Sequence, residues 1–132
     1  MKKILHNKIT GGWVPISHEM MDHPAFRKLS EAALRVLLFC IRKAYKPHTD
    51  RYAVIFKFTY PEAEKRVLLS SSTFGRAIKQ LHTLGFIDYF SPGGMRFEQK
   101  TPKGYQLSHR WKNWNTPNFE AHDEGHYTSI RC

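Results

Sequence analysis

At 132 residues the chain is sized for one domain, and its 41% hydrophobic and 14% aromatic residues are enough apolar side chain to bury a core. Lys and Arg number 21 against 11 Asp and Glu, for a formal net charge of +10, so an acidic polymer is the expected partner. Two cysteines, Cys40 inside an apolar run and Cys132 at the last position, exclude a disulfide framework and a four-thiolate zinc site.

The basic excess is uneven, because from residue 115 onward Arg131 alone stands against Glu120, Asp123 and Glu124. The opening Met1-Lys-Lys-Ile-Leu-His has an apolar stretch too short for a signal-peptide core. No run approaches the roughly 18 uninterrupted apolar residues of a membrane span. A cytoplasmic protein with no membrane partner is the expectation.

Residues 1–12 are polar and basic, end in Gly11-Gly12, and read as a flexible arm. A domain over 13–114 follows, beginning at Trp13. Ser17 can start a helical turn, Pro24 interrupts it, and Ala25 to Leu29 can form another. Ser30 is a good N-cap, and Leu34, Leu37, Leu38, Ile41 and Tyr45 recur at helical spacing, predicting a helix over 31–45. With Val36, Phe39 and Cys40 projecting elsewhere, that helix reads as apolar around most of its circumference and central to the core.

The β-rich run 53–58 predicts a strand. Thr59 with Glu62 matches a capping box, with Pro61 in the first turn, and predicts a short helix over 60–67. The hydroxyl cluster Ser70 to Thr73 caps a further helix over 72–84, stopped by Gly85. Residues 86–90 and 95–100 are strand-like and separated by Ser91-Pro-Gly-Gly94, which predicts a hairpin, and 105–108 continues it or pairs with it. Residues 115–132 lack periodicity and read as a disordered tail.

The 72–84 segment separates cleanly by side-chain type. Phe74, Ala77, Ile78, Leu81 and Leu84 share one arc, while Ser72, Thr73, Arg76, Lys79, Gln80 and Thr83 share the opposite one. Arg forks onto guanine edges, Gln onto adenine, and Lys and hydroxyls onto phosphate, so the polar arc has the chemistry of a duplex groove reader. The helix start adds backbone N–H groups suited to a phosphate. An ordinary solvated face usually mixes charge signs, yet no acidic residue occurs from Ser70 to Phe86. The hairpin adds Arg96, Lys100 and Lys103 around Pro92, Gly93 and Gly94, as a wing along the phosphates needs.

Four runs, Phe58-Thr-Tyr-Pro-Glu-Ala63, Ser71-Ser-Thr-Phe-Gly-Arg-Ala-Ile78, Leu84-Gly-Phe-Ile-Asp88 and Tyr105-Gln-Leu-Ser-His-Arg-Trp111, resemble bacterial winged helix-turn-helix proteins of mobile elements. Those are DNA-binding domains of the replication-initiator and regulator kind. The resemblance covers roughly residues 13–114 and implies an α+β fold, a three-helix core with a small antiparallel sheet and wing. It places Ser72, Thr73, Arg76, Lys79 and Gln80 at base-reading positions, with Ser71 beside them at the helix start, and Arg96 and Lys100 on the wing.

Eight histidines invite a metal reading, but His18 with His23 and His122 with His126 are the sole close pairs, and neither makes a site alone. Glu62 and Glu64 point to different sides of a helix, and no nucleophile motif or phosphate loop is present. Trp111 and Trp114 are expected to close the open end of the domain, base stacking on a single strand being the lesser alternative. No catalytic residue, cofactor, metal or small-molecule substrate is therefore expected. Double-stranded DNA is the expected partner, and a homodimer would supply two readers for two half-sites, although no heptad marks an interface. The rival readings are a winged helix serving another protein and a single-strand or RNA binder.

Overall fold

The computed structural model describes residues 10–91 and 104–122. Five helices and a small three-stranded antiparallel sheet make an α+β arrangement among them. Two short helices come first, α1 (His18–Asp22) and α2 (Pro24–Arg27). The Ser17 hydroxyl accepts the Met20 N–H at 3.0 Å to start α1, and Pro24 opens α2 while His23 Nδ1 accepts the Ala25 N–H at 3.1 Å.

Helix α3 (Glu31–Lys43) begins where Ser30 Oγ accepts the Ala33 N–H. Its buried residues are Ala33, Val36, Leu37, Cys40 and Ile41, followed by the capping Ala44. The expected stripe is thus rotated. Leu34 is half-buried, and Leu38 and Tyr45 are exposed, so α3 is not wrapped in core on all sides. The stripe that turns inward carries the small residues Ala33, Cys40 and Ala44, which let the axis of a neighbouring helix approach closely.

The expected 53–58 strand is reduced to β1 (Ile55–Phe56), because Arg51–Ala53 wind into a 3-10 turn whose Asp50 carboxylate accepts the Tyr52 N–H at 3.0 Å. Helix α4 (Tyr60–Glu62) starts as anticipated, with Thr59 Oγ1 accepting the Glu62 N–H at 3.2 Å, and continues into a wider π-type turn over Ala63–Val67. The Glu62 carboxylate, expected to reach back to Thr59, pairs with Lys43 of α3. Helix α5 (Ser71–Leu84) follows and packs chiefly on α3.

Strand β2 (Ile87–Phe90) pairs antiparallel with β3 (Gly104–Leu107), Ile87 opposite Leu107 and Phe90 opposite Gly104. The pairing of 86–90 with the run at 105–108 is thus one of the two anticipated arrangements, and the expected partner run 95–100 lies outside the described residues. Strand β3 also pairs with β1, giving the order β1-β3-β2 with β3 at the centre. Gly104 is required there, since a Cβ would lie 2.9 Å from Ile55 Cγ2 and 3.1 Å from the Phe56 carbonyl.

The core joins the inner stripes of α3 and α5 to Phe56, Phe58, Phe86, Ile87, Tyr105 and Leu107. Trp111, in a 3-10 turn over Arg110–Asn113, stacks on Phe86 and closes the domain as expected, with Trp114 half-buried beside it. The tail boundary at 115 needs correction, because Arg110 Nη1 donates to the Glu120 carbonyl at 3.0 Å and the His122 side chain is buried. The chain near Glu120 and His122 is therefore held against the domain, while residues 115–118 remain exposed. No helix among the described residues is long and apolar enough to cross a membrane.

Candidate nucleic-acid interface

Helix α5 is fixed at both ends by local chemistry. Ser70 Oγ accepts the Thr73 N–H at 3.3 Å, which ends the approach to the helix one residue earlier than the spacing predicts. Gly85 closes it at φ 94°, where a Cβ would sit 2.6 Å from the Trp111 nitrogen. Phe74, Ala77, Ile78, Leu81 and Leu84 are all buried, as their shared arc anticipates.

The opposite arc lies at the surface. Ser71, Ser72, Arg76, Lys79 and Thr83 are exposed and Thr73 is half-buried. Ser70 Oγ donates to Thr73 Oγ1 at 3.0 Å, which orients the hydroxyls of the first turn. Lys65 and Arg66 are exposed, with Glu64, on the turn that closes α4 and precede the start of α5 in the chain. Arg35 of α3 donates from Nη1 to the Val67 carbonyl at 3.2 Å and so holds the connection between α4 and α5.

Gln80 departs from its expected role. Its Oε1 accepts the Ser30 N–H at 2.9 Å and its Nε2 donates to the Lys28 carbonyl at 3.1 Å. Both ends of the amide are thereby committed to the loop between α2 and α3, and the adenine-reading geometry is not offered to a groove. Arg96, Lys100 and Lys103, assigned to the wing, lie outside the described residues.

Arg110, which the sequence does not single out, is the cation that the fold buries among the described residues. Its Nε donates to Asp88 Oδ1 at 2.8 Å, and Nη2 donates to the carbonyls of His82 at 2.9 Å and Ile87 at 3.0 Å. With the Glu120 carbonyl on Nη1, one guanidinium ties the end of α5, strand β2 and residues near 120 together. His122 lies between two carboxylates, its Nδ1 3.5 Å from Asp88 and its Nε2 2.9 Å from Glu120. His82 is buried and stacks flat on Tyr89 at 3.7 Å.

Among the described residues no group of three or more His, Cys, Asp or Glu side chains is placed to hold a metal. His23 uses both ring nitrogens within the fold, Nδ1 toward Ala25 and Nε2 toward the Lys112 carbonyl at 3.0 Å. Cys40 is fully buried, and burial pushes its thiol well above the ordinary range. Away from α5, Tyr52 and His109 stack at 3.6 Å on the wall of a cavity of about 670 Å³ that Trp13, Met20 and Trp111 also line. Burial, and then the nearby Asp50 charge, raises the Tyr52 hydroxyl, while burial, and then Lys112, lowers the His109 imidazole.

No protein-family model matches the chain, and no curated protein or solved structure does either.

Proposed function

We propose that the chain is a winged helix-turn-helix protein that binds duplex DNA, with α5 in the major groove, in a regulatory or replication-initiator-like role. The order helix, strand, helix, helix, strand, strand from α3 to β3, with β3 central in the sheet, is compatible with that fold. One observation carries the functional reading. The apolar arc of α5 is buried, its outer arc exposes Ser71, Ser72, Arg76, Lys79 and Thr83, and no carboxylate occurs between residues 70 and 86. A helix anchored on one side and cationic on the other suits a groove that admits one helix between two rows of phosphates.

Arg76 is the side chain suited to reading bases, Ser71, Ser72 and Lys79 to holding phosphates, and Lys65 and Arg66 to extending the phosphate contact. This is a binding role without catalysis. Selection of bound duplexes from a random pool at physiological salt tests it: a recovered sequence motif supports the reading, and its symmetry reports whether two copies bind together. Recovery of single strands alone, or of no nucleic acid, contradicts it.

A further inference from the structure

Among the described residues, Leu68 in the connection between α4 and α5 is the one that adopts a costly backbone conformation next to the candidate interface. Leu68 has φ 62° and ψ 44°, the left-handed region, in which the Cβ of an L-residue crowds the following carbonyl. Its N–H bonds the Ala63 carbonyl, so Leu68 occupies the helix-ending position that glycine fills without steric cost. Packing does not account for the leucine either, because the residue is 78% exposed, the most of any large hydrophobic residue among the described ones. Neither the turn nor the core calls for this side chain, and a strained residue at the surface marks a place where function sets the choice.

Its surroundings narrow what the side chain meets. Val67 is buried and Leu69 half-buried on either side, and the Arg35 bond to Val67 holds the turn, so Leu68 stands on an anchored base. Lys65 and Arg66 are exposed before it, and Ser70, Ser71 and Ser72 after it. A protein partner would be expected to meet a broader apolar patch. A single exposed apolar side chain whose chain neighbours include exposed cations and hydroxyls, with Glu64 the one exposed carboxylate among them, matches a polyanion that carries isolated apolar groups, and in the major groove that group is the 5-methyl of thymine.

Building on the duplex-binding reading above, we propose that Leu68 is a specificity-determining residue that seats on a thymine methyl group when α5 enters the groove. Contact with a methyl group adds roughly a threefold to fivefold preference. The preference is for thymine over a base that differs from it in that group alone.

The test uses the full chain and the duplex recovered by selection. Each thymine is replaced singly by deoxyuridine, which removes the methyl and leaves every hydrogen-bonding edge intact. Wild type is expected to lose roughly threefold to fivefold in affinity at one or two positions. Leu68→Gly is expected to bind the thymine and uridine duplexes equally, with a Tm no lower than wild type, and Leu68→Met to keep the preference. Leu68→Asn, whose side chain tolerates the left-handed region, repeats the comparison if the glycine variant folds poorly. Wild-type indifference to every uridine, or undiminished discrimination in Leu68→Gly and Leu68→Asn, overturns the role of Leu68 and leaves duplex binding standing. Failure of wild type to recover any duplex overturns the binding reading itself and this inference with it.

Discussion

The side-chain carbonyl of Gln80 accepts the backbone N–H of Ser30 at 2.9 Å, which ties the helix bearing the candidate interface to the residue that caps the central helix. The same amide donates to Lys28, so one side chain satisfies two backbone groups in the loop before α3. Gln80→Ala is expected to cost about 1–2 kcal/mol in urea unfolding, because both groups lose their partner at a partly solvated site. The base preference of the selected duplex is expected to stay the same. A changed preference with unchanged stability would return Gln80 to the reading face.

Arg110 should be the most sensitive polar residue in the body of the protein. Arg110→Met leaves the half-buried Asp88 carboxylate without its guanidinium and strips the His82, Ile87 and Glu120 carbonyls of a donor. A loss of about 3–5 kcal/mol is expected from removing one partner of a buried pair. Arg110→Lys should recover little, since an ammonium cannot span this set of acceptors. Chemical denaturation measures both, and a loss under about 1 kcal/mol for Arg110→Met would show that the network adds little to stability.

Gly85→Ala combines two penalties at one atom. The backbone stands at φ 94°, and the new Cβ would meet Trp111 N at 2.6 Å and the Arg110 carbonyl carbon at 2.8 Å, both main-chain atoms that cannot swing aside. Destabilisation of at least about 2 kcal/mol is expected. A thermal midpoint within a degree of wild type would contradict the close approach of α5 to the turn at Arg110.

His109 gives the fold a pH dependence of defined sign. Burial, and then the Lys112 charge, holds its folded-state value below the ordinary 6.5. The unfolded chain therefore binds the proton more readily, so this contribution to stability is complete above about pH 6.5 and is lost as the pH falls toward the folded value. His109→Phe keeps a ring against Tyr52 and removes the proton site. Comparing the two proteins across pH 5 to 8, wild type is expected to lose more stability than the variant below pH 6.5, and parallel curves would contradict the shift.

What the sequence made legible is what depends on near neighbours. Ser70, the apolar arc of α5 and Gly85 act within a turn or two of one another, so spacing alone sets that helix and its outward side. The inward side of α3 was less legible because it carries two apolar stripes, and the choice between them rests on its packing with α5, which is far away in the chain and buries Ala33, Val36, Leu37, Cys40 and Ile41 of α3 within one core. Gln80 looked like a reader because its partners at 28 and 30 are about fifty positions away in the chain. Arg110 went unnoticed for the same reason, and the segment reaching Glu120 and His122 looked like tail because what holds those two residues is that guanidinium and Asp88 rather than an apolar period. The strand over 53–58 shrank where Asp50 capped a 3-10 turn, a local signal that was present but weaker than the β-rich composition.

The most direct measurement is the affinity of wild type and Arg76→Ala for the selected duplex and for a scrambled duplex of the same length, at one salt concentration. Groove reading by α5 predicts that Arg76→Ala loses about 1–3 kcal/mol on the selected site, roughly tenfold to a hundredfold, and much less on the scrambled one. Equal losses on the two duplexes, or no loss on either, would contradict it.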